Sequence, residues 1–386
     1  MNVLLVAPQP FYQERGTPIA VRLLAETLCE FGHRVDLLVY HEGEAVEAAN
    51  LRLVRAARPP GVRRVPIGIS ASKLACDAML IWRMLAMLRR NRYHVIHAVE
   101  EAIFPAVVVS RYARARLVYD MDSSLADQLT DKWRWLRALR APLVGLERSA
   151  VRRAAVTVAV CEDLAAKVRP WVGEDRVIVL PDVPFGEASD GAPVEALREL
   201  AGARDGVLAL YVGNLERYQG IDLLLDALAR LPHGSPVRTA VIGGAAADVA
   251  RYRGIAEQKG LADRVRFLGP RPLARLGAYL AQADVLVSPR TLGRNTPMKI
   301  YSYMQSGKAI LATDIRTHTQ ALDSTCAYLA APSAAAFAGA LQRLGEDAGL
   351  RERLGRAAHA RAERDYSLGS YRRKLRSLYE RLAEPA

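Results

Sequence analysis

The chain has 386 residues, which is too long for one ordinary hydrophobic core and suits two domains. Half of the residues are hydrophobic and a quarter are charged, so the composition excludes a disordered or fibrous chain. Lys and Arg number 54 against 41 Asp and Glu, for a formal net charge of +13. This basic balance favours an anionic partner, which could be a nucleic acid, a membrane surface or a phosphorylated ligand.

The first ten residues run directly into an apolar, strand-like segment. They lack the basic start and small-residue cleavage site of a secretory signal, so we expect a cytoplasmic protein. The cysteines lie far apart and none has the spacing of a metal or redox pair, so we expect ordinary thiols and no metal site. They are Cys29, Cys76, Cys161 and Cys326.

Short β-rich runs alternate with longer helical patterns along the whole chain, which predicts parallel sheets built from βαβ units. In the first half the predicted strands are residues 3–7, 35–40, 95–98, 117–120, 156–160 and 177–180. In the second half they are residues 208–212, 239–242, 265–268, 285–288 and 309–312. Residues 181–193 are rich in Pro, Gly, Asp and Ser and predict a linker. An amphipathic helix is expected over residues 371–383.

Residues 52–92 form a basic segment, with ten basic residues and one acidic residue, Asp77, among apolar positions. Its apolar run is too short to cross a membrane. The segment is either a helix that covers a sheet with its arginines in solvent, or a contact with anionic lipid headgroups. No nucleic-acid-binding module accompanies the charge, which disfavours a nucleic-acid partner.

The first strand is followed by a loop in which Gly16 begins a helix. A glycine there allows a diphosphate to approach the free amides of the helix start, although many such turns need glycine for conformation alone. The loop is not a Gly-x-Gly-x-x-Gly dinucleotide fingerprint, so a nicotinamide oxidoreductase is disfavoured.

The strand at residues 117–120 brings Asp120 and Asp122 to the carboxyl edge of the first sheet. Either carboxylate could orient sugar hydroxyls or accept a proton, and one could instead cap the next helix. His97 ends the preceding strand, with Glu100 and Glu101 just beyond it. His97 is either functional or a packed, hydrogen-bonded residue.

The second half opens with a strand, Gly213, a loop and Gly220 before a helix, so that the backbone can approach a ligand closely. Another strand ends at Phe267 and Gly269, where backbone groups could pair with a base. The stretch at residues 288–314 predicts a strand, a loop and a helix that starts near Thr296. Its first amides could face a phosphate. Nearby positive charge comes from Arg290, Arg294 and Lys299, for which a solvated face is the alternative.

Together and in this order, these segments resemble the retaining glycosyltransferases of family 4. The resemblance covers nearly the whole chain. The segments that carry it are the Gly16 loop, residues 95–98, residues 213–225, Phe267-Leu-Gly269, residues 283–289 and residues 299–307. It implies the α/β fold called GT-B, with two facing Rossmann-like domains of parallel sheets and a C-terminal helix that crosses back to the N-terminal domain. The expected domains are residues 1–184 with a helix at about 368–386, and residues 194–367.

The resemblance also implies an acceptor site in the first domain, a nucleotide-sugar site in the second and no obligatory metal. Where the family usually holds the diphosphate with Arg and Lys, this chain has Asn214 and Gln219. The family's two glutamates correspond to Arg294 and Ser302, and its strand-end histidine corresponds to Asp122. The expected catalytic residues are Asp122, Asp120 and His97. The expected donor- and phosphate-binding residues are Gly16, Gly213, Asn214, Arg217, Gln219, Arg290, Arg294, Thr296, Met298 and Lys299. Those expected to contact the base or sugar are Phe267, Gly269 and Ser302.

The resemblance predicts transfer of a sugar from a nucleoside diphosphate sugar to a hydroxyl acceptor, with retention. The expected acceptor is a lipid-linked or surface-polysaccharide precursor. The expected location is the cytoplasm, with possible peripheral contact at the inner face of the plasma membrane. Two alternatives remain open, a nucleotide-sugar 2-epimerase of the same fold and a catalytically silent nucleotide-sugar-binding protein.

Overall fold

The structure is a computed structural model that describes residues 1–13, 16–65, 70–184 and 194–384, without the side chains of residues 131, 132 and 134. Of the predicted linker at residues 181–193, the part from 185 onward lies outside the described residues. The chain divides into two compact units. Unit 1 comprises Met1–Pro181 and Arg372–Ala386, and unit 2 comprises Asp182–Tyr371.

Unit 1 contains a seven-stranded sheet in which all neighbouring strands pair in parallel. Its strands are β1 (Asn2–Val6), β2 (Arg34–Val39), β3 (Leu51–Arg55), β4 (Val95–Val99), β5 (Arg116–Met121), β6 (Val156–Ala159) and β7 (Val177–Val179). Its helices are α1 (Gly16–Glu30), α2 (Ala71–Arg90), α3 (Ile103–Ala113), α4 (Leu125–Lys132), α5 (Arg140–Arg153) and α6 (Glu162–Val172). The strand order is β3-β2-β1-β4-β5-β6-β7, so the order reverses between β1 and β4.

Unit 2 contains a six-stranded parallel sheet. Its strands are β8 (Val207–Val212), β9 (Val237–Ile242), β10 (Val265–Gly269), β11 (Val285–Ser288), β12 (Ala309–Thr313) and β13 (Tyr328–Ala330). Helices α7 (Leu197–Leu200), α8 (Ile221–Leu228), α9 (Ala246–Gln258), α10 (Leu276–Ala281), α11 (Lys299–Gln305), α12 (Arg316–Thr319), α13 (Ala334–Glu346) and α14 (Ala348–Arg361) belong to this unit. The order is β10-β9-β8-β11-β12-β13, which reverses between β8 and β11.

The prediction of parallel sheets in two Rossmann-like domains is confirmed, and each predicted strand is present within one or two residues. Sequence patterns missed β3 and β13, which are both edge strands. The segment at β3 has arginine at its second and fifth positions, and β13 has only three residues. An edge strand needs less apolar surface than a central one, so its hydrophobic signal is weaker.

The final helix, α15 (Leu368–Arg381), begins in unit 2 and continues among the residues counted with unit 1. Its apolar side, which carries Leu375, Leu378, Tyr379 and Leu382, is buried. Arg372 pairs with Glu30 of α1 at 2.7 Å. The phenol of Tyr379 lies 2.9 Å from His97 Nδ1 on β4. These contacts attach the end of the chain to one face of the first sheet.

Helices α2, α3, α5 and α6 cover the other face of that sheet. Their inward side chains join alternate residues of the central strands in one core. The strand contribution includes Leu4, Leu38, Ile96 and Tyr119. Burial of this apolar face is the main stabilising term for unit 1, because hydrophobic stabilisation scales with the apolar area removed from water.

Candidate phosphate site in unit 2 and carboxylate edge in unit 1

The reversal of strand order in unit 2 opens a crevice between the loops that follow β8 and β11. Neighbouring connections leave this point in opposite directions, and ligands of open α/β sheets bind there, beyond the carboxyl ends of the strands. Gly213 follows β8 and Pro289 follows β11. The predicted phosphate-binding residues Gly213, Gln219, Arg290 and Lys299 come together at this edge.

Two glycines allow the backbone of these loops to pack closely. Gly220 has a φ of +76°, and a Cβ there would overlap the carbonyl of Pro289. Thr291 N donates to Tyr218 O at 2.9 Å, which joins the same two loops. Gly243, at the end of β9, has a φ of +107° and packs against the backbone of Gly213. Only glycine combines such a φ with the space available.

The ammonium of Lys299 lies over the start of the β8 loop. A Cβ added to Gly213 would lie 2.6 Å from Lys299 Nζ. Lys299 Nζ also donates to Gln219 Oε1 at 3.2 Å and lies 3.9 Å from the centre of the Tyr211 ring. The helix expected to start near Thr296 begins three residues later, at Lys299, after a turn in which Ile300 N donates to Pro297 O at 2.9 Å.

Arg290 is the second cation of this site and is only 7% exposed. Its Nε donates to Leu292 O at 2.6 Å, and its guanidinium carbon lies 5.1 Å from the centre of the Tyr218 ring. Its carbonyl accepts a hydrogen bond from the Thr313 hydroxyl at the end of β12. These contacts hold the guanidinium against the loop.

Neither cation has a carboxylate partner among the described residues. Burial, and secondarily the charge of Arg290, lowers the pKa of Lys299 well below its ordinary value. Burial also lowers the pKa of Arg290. Two desolvated positive charges without a counter-ion are costly, and an anion placed between them would relieve that cost.

His318 supports this edge, and sequence reasoning did not identify it. It is fully buried on α12, with Nε2 2.8 Å from Ser288 Oγ and Nδ1 2.8 Å from Thr313 O. Burial lowers its pKa to about 4. A neutral imidazole therefore links the ends of β11 and β12. No motif marked it, because its partners are distant in sequence.

The other predicted donor residues of unit 2 differ in their exposure. Asn214, Arg217 and Arg294 are exposed, Thr296 and Ser302 are buried, and Met298 is half-buried. The carbonyl of Asn214 accepts from Tyr211 Oη at 2.6 Å, and that of Arg294 accepts from Gln320 Nε2 at 2.7 Å. Their donor-binding roles stay predictions.

Phe267 and Gly269 lie on β10. The Phe267 ring is buried and stacks on Tyr252, with 6.3 Å between ring centres. Gly269 has a φ of +74°, open space beside it, and a carbonyl that accepts from Gly243 N at 2.8 Å. Any contact with a base would therefore come from backbone at Gly269 rather than from the Phe267 ring.

A cavity of about 720 Å³ lies beside the β8 loop. Its walls include Glu216, Asp222 and Asp226 as well as Arg217. Three carboxylates would repel a diphosphate from this cavity. The cavity is therefore acidic, whereas the site at Lys299 and Arg290 is basic.

The carboxyl edge of the first sheet is acidic. His97 is fully buried, and its Nε2 lies 3.3 Å from Asp120 Oδ2. Asp122 follows β5 and is half-buried, and Gly16 begins α1 as an exposed residue. His97 is packed between β4, to which it belongs, and Tyr379 of α15. Its catalytic role stays a prediction.

Glu100, directly after β4, is the most unusual residue of this edge. Its φ is +49°, a left-handed conformation that non-glycine residues rarely adopt. One carboxylate oxygen accepts from Ser123 Oγ at 3.1 Å. Desolvation, followed by the charge of Glu101, raises the pKa of Glu100 to about 7, although Lys73 opposes the shift. Lys73 itself pairs with Glu101. Strain and a raised pKa together make Glu100 a candidate for contact with substrate.

Across the part of the chain that the structure describes, no three His, Cys, Asp or Glu side chains are grouped so that they could hold a metal ion. Over the same residues, no helix is both long and apolar enough to cross a membrane.

Comparison with known proteins associates each unit with a glycosyltransferase family. Residues 15–182 match the family described as glycosyl transferase 4-like domain, and residues 195–361 match glycosyl transferases group 1. A phosphatidyl-myo-inositol mannosyltransferase of Mycobacterium tuberculosis is 26% identical over 99% of this chain and 97% of its own length.

Two solved structures share the fold over nearly the whole chain. Sucrose-phosphate synthase from Thermosynechococcus elongatus has a TM-score of 0.76 and 22% identity, covering 99% of this chain and 98% of its own. Anabaena HepE, solved in complex with UDP-glucose, has a TM-score of 0.74 and 17% identity, covering 99% of this chain and 100% of its own. The GT-B fold expected from the sequence is confirmed.

Replacing Gly220 by Ala should lower the free energy of unfolding by roughly 3 kcal/mol or more, because the new Cβ overlaps a backbone carbonyl at a positive φ. Gly254→Ala is the matched control. This glycine lies inside α9 with open space around it, so the substitution should stabilise by up to about 1 kcal/mol. Chemical denaturation of both variants measures the difference, and equal stabilities would contradict the close loop contact.

Replacing Glu100 by Gln should make the protein more stable at neutral pH. The folded-state pKa is raised, so the stability that neutral Glu100 contributes is complete below about pH 4.5 and is lost as the pH rises to about 7. Glutamine avoids this loss. The variant should gain roughly 1–2 kcal/mol over the wild type above pH 7 and little at pH 4.5, after allowance for partial exposure.

Thermal unfolding at several pH values measures this gain. Glu352→Gln is the control, because Glu352 is largely exposed and its arginine partner lies 3.9 Å away. A gain for Glu100→Gln that does not vary with pH would show that its carboxyl titrates normally.

Proposed function

We propose that this chain is a family 4 glycosyltransferase, which transfers a sugar from a nucleoside diphosphate sugar to a hydroxyl acceptor. The observation that carries the proposal is the pair of desolvated, carboxylate-free cations, Lys299 and Arg290, at the strand reversal of unit 2. A diphosphate supplies the negative charge that this pair lacks. Unit 2 is accordingly the proposed donor domain. Anabaena HepE, which shares the fold, has been solved in complex with UDP-glucose.

In the proposed reaction, the bond between the anomeric carbon and the phosphate oxygen breaks as negative charge develops on the leaving diphosphate. Lys299 and Arg290 stabilise that charge, and their fixed contacts place them before the reaction starts. The phosphates would bind at the start of the β8 loop, where the Lys299 ammonium lies beside Gly213.

We propose that the new bond forms on the same face of the sugar, as the family resemblance implies. The acceptor hydroxyl attacks the anomeric carbon, and its proton passes to the departing phosphate oxygen. Unit 1 would supply the acceptor site, where Asp122 and Glu100 could orient hydroxyl groups. Measuring the anomeric configuration of the product by NMR tests this step, and an inverted product would contradict it.

A lipid-linked or surface-polysaccharide precursor is the proposed acceptor. Support comes from the M. tuberculosis relative, which is named for a phosphatidyl lipid. The relatives described above are transferases or synthases, so they favour neither a nucleotide-sugar 2-epimerase nor a catalytically silent binding protein.

Replacing Lys299 by Met should weaken nucleoside diphosphate binding about 10- to 100-fold, since one charge-assisted contact is removed. Methionine retains most of the side-chain volume. Stability should stay the same or rise, because an uncompensated ammonium is removed. Calorimetric titration with UDP, GDP, ADP and dTDP measures the affinity.

Lys259→Met is the control for loss of one lysine charge. Lys259 directly follows α9, is partly exposed and pairs with Asp226 of α8. It should bind nucleotide as the wild type does. If the wild type binds none of the four nucleotides at millimolar concentration, the donor proposal is wrong. If Lys299→Met binds as tightly as Lys259→Met, the phosphate site lies elsewhere.

A further inference from the structure

The exposed large hydrophobic side chains of the described chain are concentrated on one layer of unit 1. Of nine such side chains, seven lie on α2, α3, α5 or the 3₁₀ helix Arg134–Leu139 that leads into α5. These are Leu74, Trp82, Val108, Tyr112, Trp135, Leu139 and Leu146. The other two, Leu200 and Leu292, belong to unit 2. Single exposed apolar residues are ordinary, but a concentration of this kind marks an interaction surface.

These helices form a continuous surface. Helix α2 contacts α3, α3 contacts α5, and α5 contacts the 3₁₀ helix. The inner sides of α2, α3 and α5 are buried against the sheet, and the side chains named above remain exposed in the described chain. We call the exposed sides of α2, α3, Arg134–Leu139 and α5 the basic outer face.

Helix α2 shows the pattern most clearly. Leu74, Ala78 and Trp82 are spaced by four residues and are all exposed, so they form an apolar stripe along its outer side. Leu74 is 63% exposed and Trp82 is 60% exposed. The helix covers the sheet and exposes Arg89 and Arg90 at its end, which agrees with one interpretation of the sequence. It also exposes this apolar stripe, which sequence reasoning did not predict.

The charge on the basic outer face has one sign. Its elements contain two carboxylates, and both are engaged toward the interior. Asp77 bonds the Tyr40 hydroxyl, and the fully buried Glu147 pairs with Lys167 at 2.9 Å. The exposed arginines on the same elements are Arg89, Arg90, Arg111, Arg137, Arg140, Arg148, Arg152 and Arg153.

We propose that the basic outer face docks onto the surface of a bilayer that contains anionic phospholipids. Tryptophan, tyrosine and leucine side chains would enter the headgroup region, while the arginines pair with lipid phosphates. A nucleic acid would use the arginines but would leave the helical apolar stripe in water. The charge complementarity together with the apolar content therefore favours lipid. The docking does not depend on which nucleotide unit 2 binds, and it would bring unit 1 to a lipid-linked acceptor.

Co-sedimentation with unilamellar vesicles tests the proposal. Full-length protein should bind vesicles of phosphatidylcholine with about one-third phosphatidylglycerol at least tenfold more tightly than vesicles of phosphatidylcholine alone. Raising the salt concentration should weaken the binding. The double variant Leu74→Ser/Trp82→Ser should bind the anionic vesicles at least tenfold more weakly, and so should Arg89→Glu/Arg90→Glu.

The control is Leu200→Ser/Leu292→Ser, which removes exposed apolar side chains from unit 2 and should bind as the wild type does. Nucleotide titration of each variant shows whether unit 2 remains folded. This measurement also separates the two proposals. Docking can fail while nucleotide binding is retained, and nucleotide binding can fail while docking is retained.

Three results would overturn the docking proposal. The first is vesicle binding by Leu74→Ser/Trp82→Ser that equals that of the control. The second is binding to a DNA duplex that is as tight as or tighter than binding to the anionic vesicles, with an affinity that the apolar substitutions do not change. The third is concentration-dependent self-association that the same substitutions abolish, which would assign the face to a second copy of the chain.

Discussion

Backbone contact between the loops after β8 and β11 determines the position of each charged group in the unit 2 site. Gly220 packs against the Pro289 carbonyl, and Thr291 N bonds Tyr218 O at 2.9 Å. This contact places Gln219 beside the ammonium of Lys299. It also places the Tyr218 ring below the guanidinium of Arg290. A side chain at position 220 would force the loops apart and separate these groups.

The same packing buries Arg290 and half-buries Lys299, while no carboxylate among the described residues pairs with either cation. The cost of this burial is reflected in the lowered pKa of Lys299, and it is compatible with folding because aromatic rings and the Gln219 oxygen offset part of it. In the proposed donor site, a diphosphate would meet positive charge that is already oriented. The family resemblance places Asn214 and Gln219 where the family usually has Arg and Lys. In the proposed site, the positive charge comes instead from the β11 loop and the start of α11.

Unit 1 has the opposite electrostatic character at the corresponding edge of its sheet. Three carboxylates lie near the carboxyl ends of β4 and β5, those of Glu100, Glu101 and Asp120. Lys73 pairs with Glu101. Such an edge disfavours phosphate and suits neutral hydroxyl groups. The outer side of the same unit is apolar and basic, which suits a lipid surface. The two surfaces together fit the proposed transfer to a lipid-linked hydroxyl acceptor.

Local periodicity allowed the sequence by itself to determine the two parallel sheets and their central strands, because the apolar pattern of a segment and its glycine-ended turns are properties of neighbouring residues. It also singled out Gly213, Gln219, Arg290 and Lys299. Only the tertiary structure decided that Lys299 and Arg290 have no carboxylate partner among the described residues, that His318 links β11 to β12, and that Glu100 is strained with a raised pKa. It likewise showed that the exposed side of α2 carries Leu74 and Trp82 in addition to Arg89 and Arg90. Burial and charge compensation depend on residues far apart in the chain, so no local pattern contains them.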